Sequence, residues 1–222
     1  MSLPSGEVRT PGEAWRIFRS RRAPRWLIGA LALLLLTRLA LGDPSWRDAA
    51  AVGAVALIYP FGEWAIHVYL LHLPPVRWRG REVELLTTRE HRVHHESPND
   101  LNLVLLGAKE VVALLVIAVP LVASVLVVLL PGPFHGRAWL SAIATGAALV
   151  LLYEWIHFLI LTAHRPRARL YRAVWRSHRL HHFKNEHYWH GITSTLGDRV
   201  LGTFPDQREV PRSPTARTID RL

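Results

Sequence analysis

Val111–Leu130 reads VVALLVIAVPLVASVLVVLL, twenty residues without a single charge. At 1.5 Å of rise per residue, this stretch matches the roughly 30 Å hydrocarbon thickness of a bilayer. A helix apolar on every side belongs either in a large core or in lipid. A chain of 222 residues has one domain's worth of core, so the stretch reads as a membrane span, with Pro120 a kink that neighbouring helices accommodate.

Working outward, three further apolar segments can be drawn: Trp26–Leu41, Ala49–Leu73 and Trp139–Leu161. The first is short and interrupted by Arg38. The second carries Glu63, His67 and His72 in its last turns, and the third carries Glu154 and His157 toward its C-terminal end. The expected fold is therefore all-α, an integral membrane bundle of about four transmembrane helices. Residues 1–24 read as a basic N-terminal tail, 25–205 as the membrane domain, and 206–222 as a polar C-terminal tail, both tails solvated or lying on the membrane surface.

Charge fixes the expected orientation. The chain carries 27 basic against 17 acidic residues, and Lys109 and Lys184 are its lysines, so the excess is almost wholly arginine. Such an excess suits nucleic acid or an anionic membrane surface; the apolar runs decide for the membrane and against nucleic acid. Arginines crowd the N-terminal tail, the Leu73–Leu101 connection and the segment after Thr162, while Gly42–Arg47 and Pro131–Arg137 hold one each. The positive-inside rule then puts both termini and the long central connection in the cytosol. A secretory leader ending near Ala40-Leu41-Gly42 is the competing reading of the first segment, and the long basic region and Arg38 argue against it. Cysteine is absent, so any metal must be held by nitrogen or oxygen.

Thirteen histidines are present, and twelve lie at or beyond the expected cytosolic ends, His135 being the exception. His91-Arg-Val-His94-His95 and His178-Arg-Leu-His181-His182 share one spacing. On a helix, positions i, i+3 and i+4 share a face, so each unit points three imidazoles the same way, a poor packing surface and a good metal site. Each unit follows a span whose end carries a glutamate and a histidine, Glu63 with His67 and Glu154 with His157. The chain thus reads as two related halves joined near Ala108. Eight or more imidazoles exceed the four to six positions around one transition-metal ion, which favours two ions. The HExxH signature of zinc proteases is absent, since His95-Glu96 is followed by Ser97-Pro98-Asn99.

From Pro60 to Thr203 the sequence resembles the fatty acid hydroxylase and sterol desaturase superfamily of membrane histidine-box enzymes. The resemblance is carried by Glu63–His72 (EWAIHVYLLH), His91–Asp100 (HRVHHESPND), Tyr153–His157 and His178–Thr203 (HRLHHFKNEHYWHGITSTLGDRVLGT). It implies a cytosolic helical cap bearing two iron ions, replaceable by zinc on isolation, with dioxygen as co-substrate. It also implies hydroxylation or desaturation of a lipid, most readily a fatty acyl chain, with a sterol or carotenoid as the alternative, and a separate electron carrier of cytochrome b5 or ferredoxin type. By matching positions, His67, His72, His91, His94, His95, His157, His178, His181 and His182 would be ligands or their near neighbours, and Glu63 and Asp198 would orient imidazoles.

One departure stands out: the family's third motif has a second histidine four residues after the first, and here that residue is Leu161. His164 or His187 would have to fill in, or the chain is a catalytically impaired homologue. The rivals from other classes are a non-catalytic metal-binding membrane protein and a zinc-dependent hydrolase.

Overall fold

The computed structural model describes residues 3–219. In chain order the helices are α1 (Pro11–Phe18), α2 (Arg22–Ala40), α3 (Trp46–Ile66), α4 (Leu86–Glu96), α5 (Ala108–Ala113), α6 (Val119–Val128), α7 (Gly136–Ile160), α8 (Arg169–Phe183) and α9 (Leu196–Val200). Two π-helical turns, His67–Leu71 after α3 and Leu114–Ala118 between α5 and α6, interrupt this order. An antiparallel hairpin of β1 (Val76–Trp78) and β2 (Arg81–Val83) pairs Val76 with Val83 and is fully exposed.

Among the described residues, four stretches are long and apolar enough to cross a membrane: Arg22–Ala40, Trp46–Leu71, Ala108–Val128 and Gly136–Ile160. The expected all-α membrane bundle is thus met. Each helix begins three or four residues before the apolar segment drawn from sequence, because the first turn carries unpaired N–H groups and takes polar residues that hydropathy leaves out. Pro120 does not end its helix. Its ring would meet the carbonyl of Val116, which lies inside the π turn Leu114–Ala118, and the widened turn absorbs the conflict.

The chain divides into two compact units. The first, residues 16–59 and 106–155, is the apolar one, and small residues let its helices approach closely. Ala51 and Val55 of α3, Ala123 and Val127 of α6, and Ala138, Ala142 and Ile143 of α7 form one buried cluster. Leu27 of α2, Val111 of α5 and Val150 of α7 form another with Ala23. A methyl group on Gly146 would stand 2.7 Å from Val119 Cγ1, so only glycine permits that crossing. Arg38, the charge that interrupted the first apolar segment, is buried and donates to Asp48 Oδ1 at 2.7 Å, to Ser141 Oγ at 3.0 Å and to Gly42 O at 2.8 Å. Asp48 sits in the first turn of α3, where the helix dipole favours an anion. The two short connections meet there as well, Arg47 Nη2 donating to Pro131 O at 3.5 Å.

The second unit, residues 3–15, 60–105 and 156–219, contains α4, α8, α9 and the hairpin. Described residues near both ends of the chain are hydrogen-bonded within it. Leu3 and Ser5 exchange backbone hydrogen bonds with Leu101 and Asn99, and Ala163 N–H donates to Val8 O. Beyond Pro205, Ser213 N–H donates to Lys184 O at 2.8 Å, Arg92 Nη1 donates to Ile219 O at 2.6 Å, and Val210, Ala216 and Ile219 are buried. Composition gives little sign of this because Val210, Ala216 and Ile219 stand singly among polar residues and prolines.

Candidate metal centre

Every histidine named above as a ligand lies in the second unit. Local helix geometry explains how they converge. On α4, His91, His94 and His95 share a face, as do His178, His181 and His182 on α8. His67 and His72 are five apart, a spacing that an α-helix would splay by about 140°. The π turn His67–Leu71 between them, closed by His72 N–H to His67 O at 3.2 Å, takes roughly 80° per residue and returns both rings to one side.

The imidazoles sort into two groups. His67, His72, His91, His95 and His181 have one ring nitrogen each within 4.8 Å of all the others, and His94, His157 and His182 do the same. His178 belongs with the second group, its Nε2 lying 2.9 Å from that of His182. In the first group the ring centres form a closed square, 4.9 Å from His67 to His91, 4.7 Å to His95, 4.9 Å to His181 and 4.6 Å back. His72 stands over this square, 5.0 to 5.2 Å from each corner. In the second group the square runs His94, His157, His178, His182 with sides of 4.9, 4.8, 4.5 and 4.7 Å.

These spacings suit shared cations. Two imidazoles at right angles on one ion, with bonds near 2.1 Å, place their nitrogens about 3 Å apart. His72 and His91 are 3.1 Å apart at Nε2, His94 and His157 3.2 Å, and His178 and His182 2.9 Å. Protonation agrees. Burial, reinforced by neighbouring imidazoles, holds His72, His91, His94, His95, His178, His181 and His182 well below the usual histidine range, so they are neutral, the form that binds metal.

Three tautomers are also fixed. His67 Nδ1 faces His190 O at 2.7 Å, His95 Nδ1 faces Ala216 O at 3.1 Å, and His181 Nδ1 faces Tyr188 O at 2.9 Å. A carbonyl only accepts, so each Nδ1 carries the proton and each Nε2 presents a lone pair. Those three Nε2 atoms are buried without a protein hydrogen-bond partner. A buried polar atom left unmatched is costly in a purely structural site and is what a metal ligand looks like before its metal.

Glu63 and Asp198 act one step further out. Glu63 accepts from the N–H groups of Ile192 and Thr193 and from the Thr193 hydroxyl. Asp198 accepts from the N–H groups of His190, at 2.9 Å, and Gly191, at 2.7 Å, and from the Thr203 hydroxyl. Together they hold residues 190–193, whose His190 carbonyl orients His67. Gly191 is required in that loop, since a Cβ there would stand 2.0 Å from Ser194 O.

The two substitute ligands considered for Leu161 join neither group. His187 is exposed beside Glu186, 3.5 Å away. Half-buried His164 donates its N–H to Thr162 Oγ1 at 3.2 Å. One residue left out of the ligand set is His190. Its buried ring lies 5.1 Å from His181, 5.4 Å from His67 and 5.7 Å from His72, with Nδ1 3.5 Å from Asp198 Oδ1. It belongs to no repeated spacing, and the glycine that follows it is the nearest thing to a signal.

The protein-family model for fatty acid hydroxylases matches residues 52–203. The chain is 30% identical over 158 residues to the dihydroceramide fatty acyl 2-hydroxylase FAH2 of Arabidopsis thaliana, a match covering 68% of this chain. It spans 62% of the length of that relative. Its fold is similar to a structure of full-length Scs7p in which only the hydroxylase domain is visible. The TM-score is 0.64 at 19% identity, over 86% of this chain and 68% of that one. With a family model covering most of its length and the two histidine groups in its second unit, the chain belongs to the fatty acid hydroxylase family.

Proposed function

We propose that this chain is a membrane-bound hydroxylase that oxidises a fatty acyl chain at a two-metal centre held by nine histidines. The observation that carries this reading is the convergence of nine imidazoles from four separate segments, with three Nδ1 atoms fixed on carbonyls and their Nε2 atoms left over. Two iron ions, when bound, would supply dioxygen activation and attack on an unactivated C–H bond.

The balance of such a hydroxylation is one C–H bond and O2 taken, with two electrons and two protons, to C–OH and water. The electrons come from outside the chain, from a cytochrome b5- or ferredoxin-like carrier. The chain's own residues keep the imidazoles of α4 and α8 neutral by burial, fix His67, His95 and His181 in the tautomer that presents Nε2, and hold the 190–193 loop through Glu63 and Asp198. The four apolar helices would give an acyl chain a hydrocarbon environment, and the arginine distribution supports a cytosolic position for the histidines.

The relative named for 2-hydroxylation of dihydroceramide fatty acyl chains makes the acyl carbon beside an amide carbonyl the first position to test. A sterol or carotenoid is the alternative substrate within the same superfamily. The test is lipid profiling of cells expressing the chain, with and without oxygen, beside His94→Ala. New hydroxyacyl species that need oxygen and vanish in the variant are expected. Product formed equally without oxygen would point to a hydrolase, and equal product from the variant would remove the histidine centre from the chemistry.

A further inference from the structure

The two histidine groups are built by exchange between the halves of the chain. Helix α4 gives His91 and His95 to the first group and His94 to the second, while α8 gives His178 and His182 to the second and His181 to the first. Each group then takes imidazoles from the end of an apolar helix: His67 and His72 in the first, His157 in the second. His67 and His157 occupy matching places in this scheme. The place that matches His72 has no histidine.

The difference is visible in the ring positions. In the first group His72 stands over the square of four, 5.0 to 5.2 Å from each corner. In the second, among the described residues, the other imidazoles beside the square are members of the first group, with His95 4.1 Å from His182 and His181 5.4 Å from it. One α-helical turn past His157, immediately after α7 ends at Ile160, stands Leu161, buried at 1% exposure. An isobutyl group has no lone pair to offer.

Resting on the metal-centre reading above, we propose that the two metal positions are unequal. The five-histidine position holds its ion tightly, while the four-histidine position, with Leu161 in place of a fifth imidazole, is the labile one. Losing even a residue that only orients a ligand lowers metal affinity roughly 10–100-fold, so a missing ligand separates the two positions by at least about tenfold. With four imidazoles rather than five, an ion there also keeps one more coordination position unfilled by the protein, the feature that separates catalytic from closed structural metal sites.

The experiment uses the detergent-purified full chain loaded with zinc, which serves as a spectroscopically silent probe, and follows its transfer to a coloured chelator. Two phases of equal amplitude are expected, one ion per chain each, with rates at least about tenfold apart. Leu161→His slows the fast phase toward the slow one and leaves the slow phase unchanged. His157→Ala removes the fast phase alone, and His72→Ala accelerates the slow phase, so the assignment stands even if the leucine variant fails to fold. A single phase releasing both ions refutes the inequality and leaves the metal-centre reading intact. A fast phase that responds to His72→Ala but not to His157→Ala or Leu161→His refutes the assignment of the labile position. A chain that binds no zinc and no iron refutes the metal-centre reading itself, and the inequality with it.

Discussion

Replacing Glu63 with alanine isolates the support of the metal centre from its ligands. Glu63 touches none of the nine histidines through a hydrogen bond described above; it accepts from Ile192 N–H, Thr193 N–H and the Thr193 hydroxyl. The variant leaves these three donors without their acceptor in a site where Glu63 is 7% exposed. Each orphaned buried donor costs about 1–3 kcal/mol, so the loop 190–193 loses several kcal/mol of local stability. Its His190 carbonyl then no longer fixes His67 Nδ1, and metal affinity falls roughly 10–100-fold. Glu63→Gln keeps an oxygen for the two N–H groups and a polar partner for the hydroxyl, so it costs about 1–2 kcal/mol and much less affinity. The assay is chelator competition on both variants, with helical content checked by circular dichroism. Wild-type affinity in a folded Glu63→Ala protein would refute the reasoning.

Three further outcomes follow from the same structure. Removing either member of the buried Arg38–Asp48 pair lowers thermal stability by about 3–5 kcal/mol, whereas Arg38→Leu with Asp48→Leu recovers most of it; a double variant as unstable as the sum of the singles would contradict this, melts in detergent being the measurement. Gly146→Val drives a side chain into Val119 and lowers the melting temperature, a loss of about 1–3 kcal/mol, and an unchanged melt would show that the helices crossing there can separate freely. In metal-free protein the seven histidines held below their usual range bind protons only when the fold opens. The stability present above their unfolded pKa of about 6.5 is therefore lost as pH falls toward their folded values, by about 1.4 kcal/mol per pH unit for each histidine that titrates; equal melting temperatures at pH 7.5 and 5.5 would contradict the buried neutral state.

Much of this was legible in the sequence because its signals are periodic. Long apolar runs marked the four apolar helices, and the repeated HxxHH spacing marked the two ligand faces, since helix geometry alone puts i, i+3 and i+4 together. What stayed hidden depended on departures from regular geometry. The π turn that aligns His67 with His72 has no spacing rule, Arg38 looked like an interruption because its partner Asp48 lies across a turn, and the segment beyond Pro205 looked solvated because Val210, Ala216 and Ile219 stand singly among polar residues and prolines. His190 escaped for the same reason: its burial comes from the loop fold enforced by Glu63, Gly191 and Asp198, which no repeat announces. Leu161 was readable as a departure, and the structure adds that His157, four residues before it, belongs to the second group.

The most direct test of the central claim is the metal content of the detergent-purified chain from iron-supplemented cells, measured by elemental analysis against protein concentration. Two metal ions per chain with iron predominant are expected, falling when His157 or His72 is replaced by alanine. Protein that folds normally yet carries no metal would contradict it.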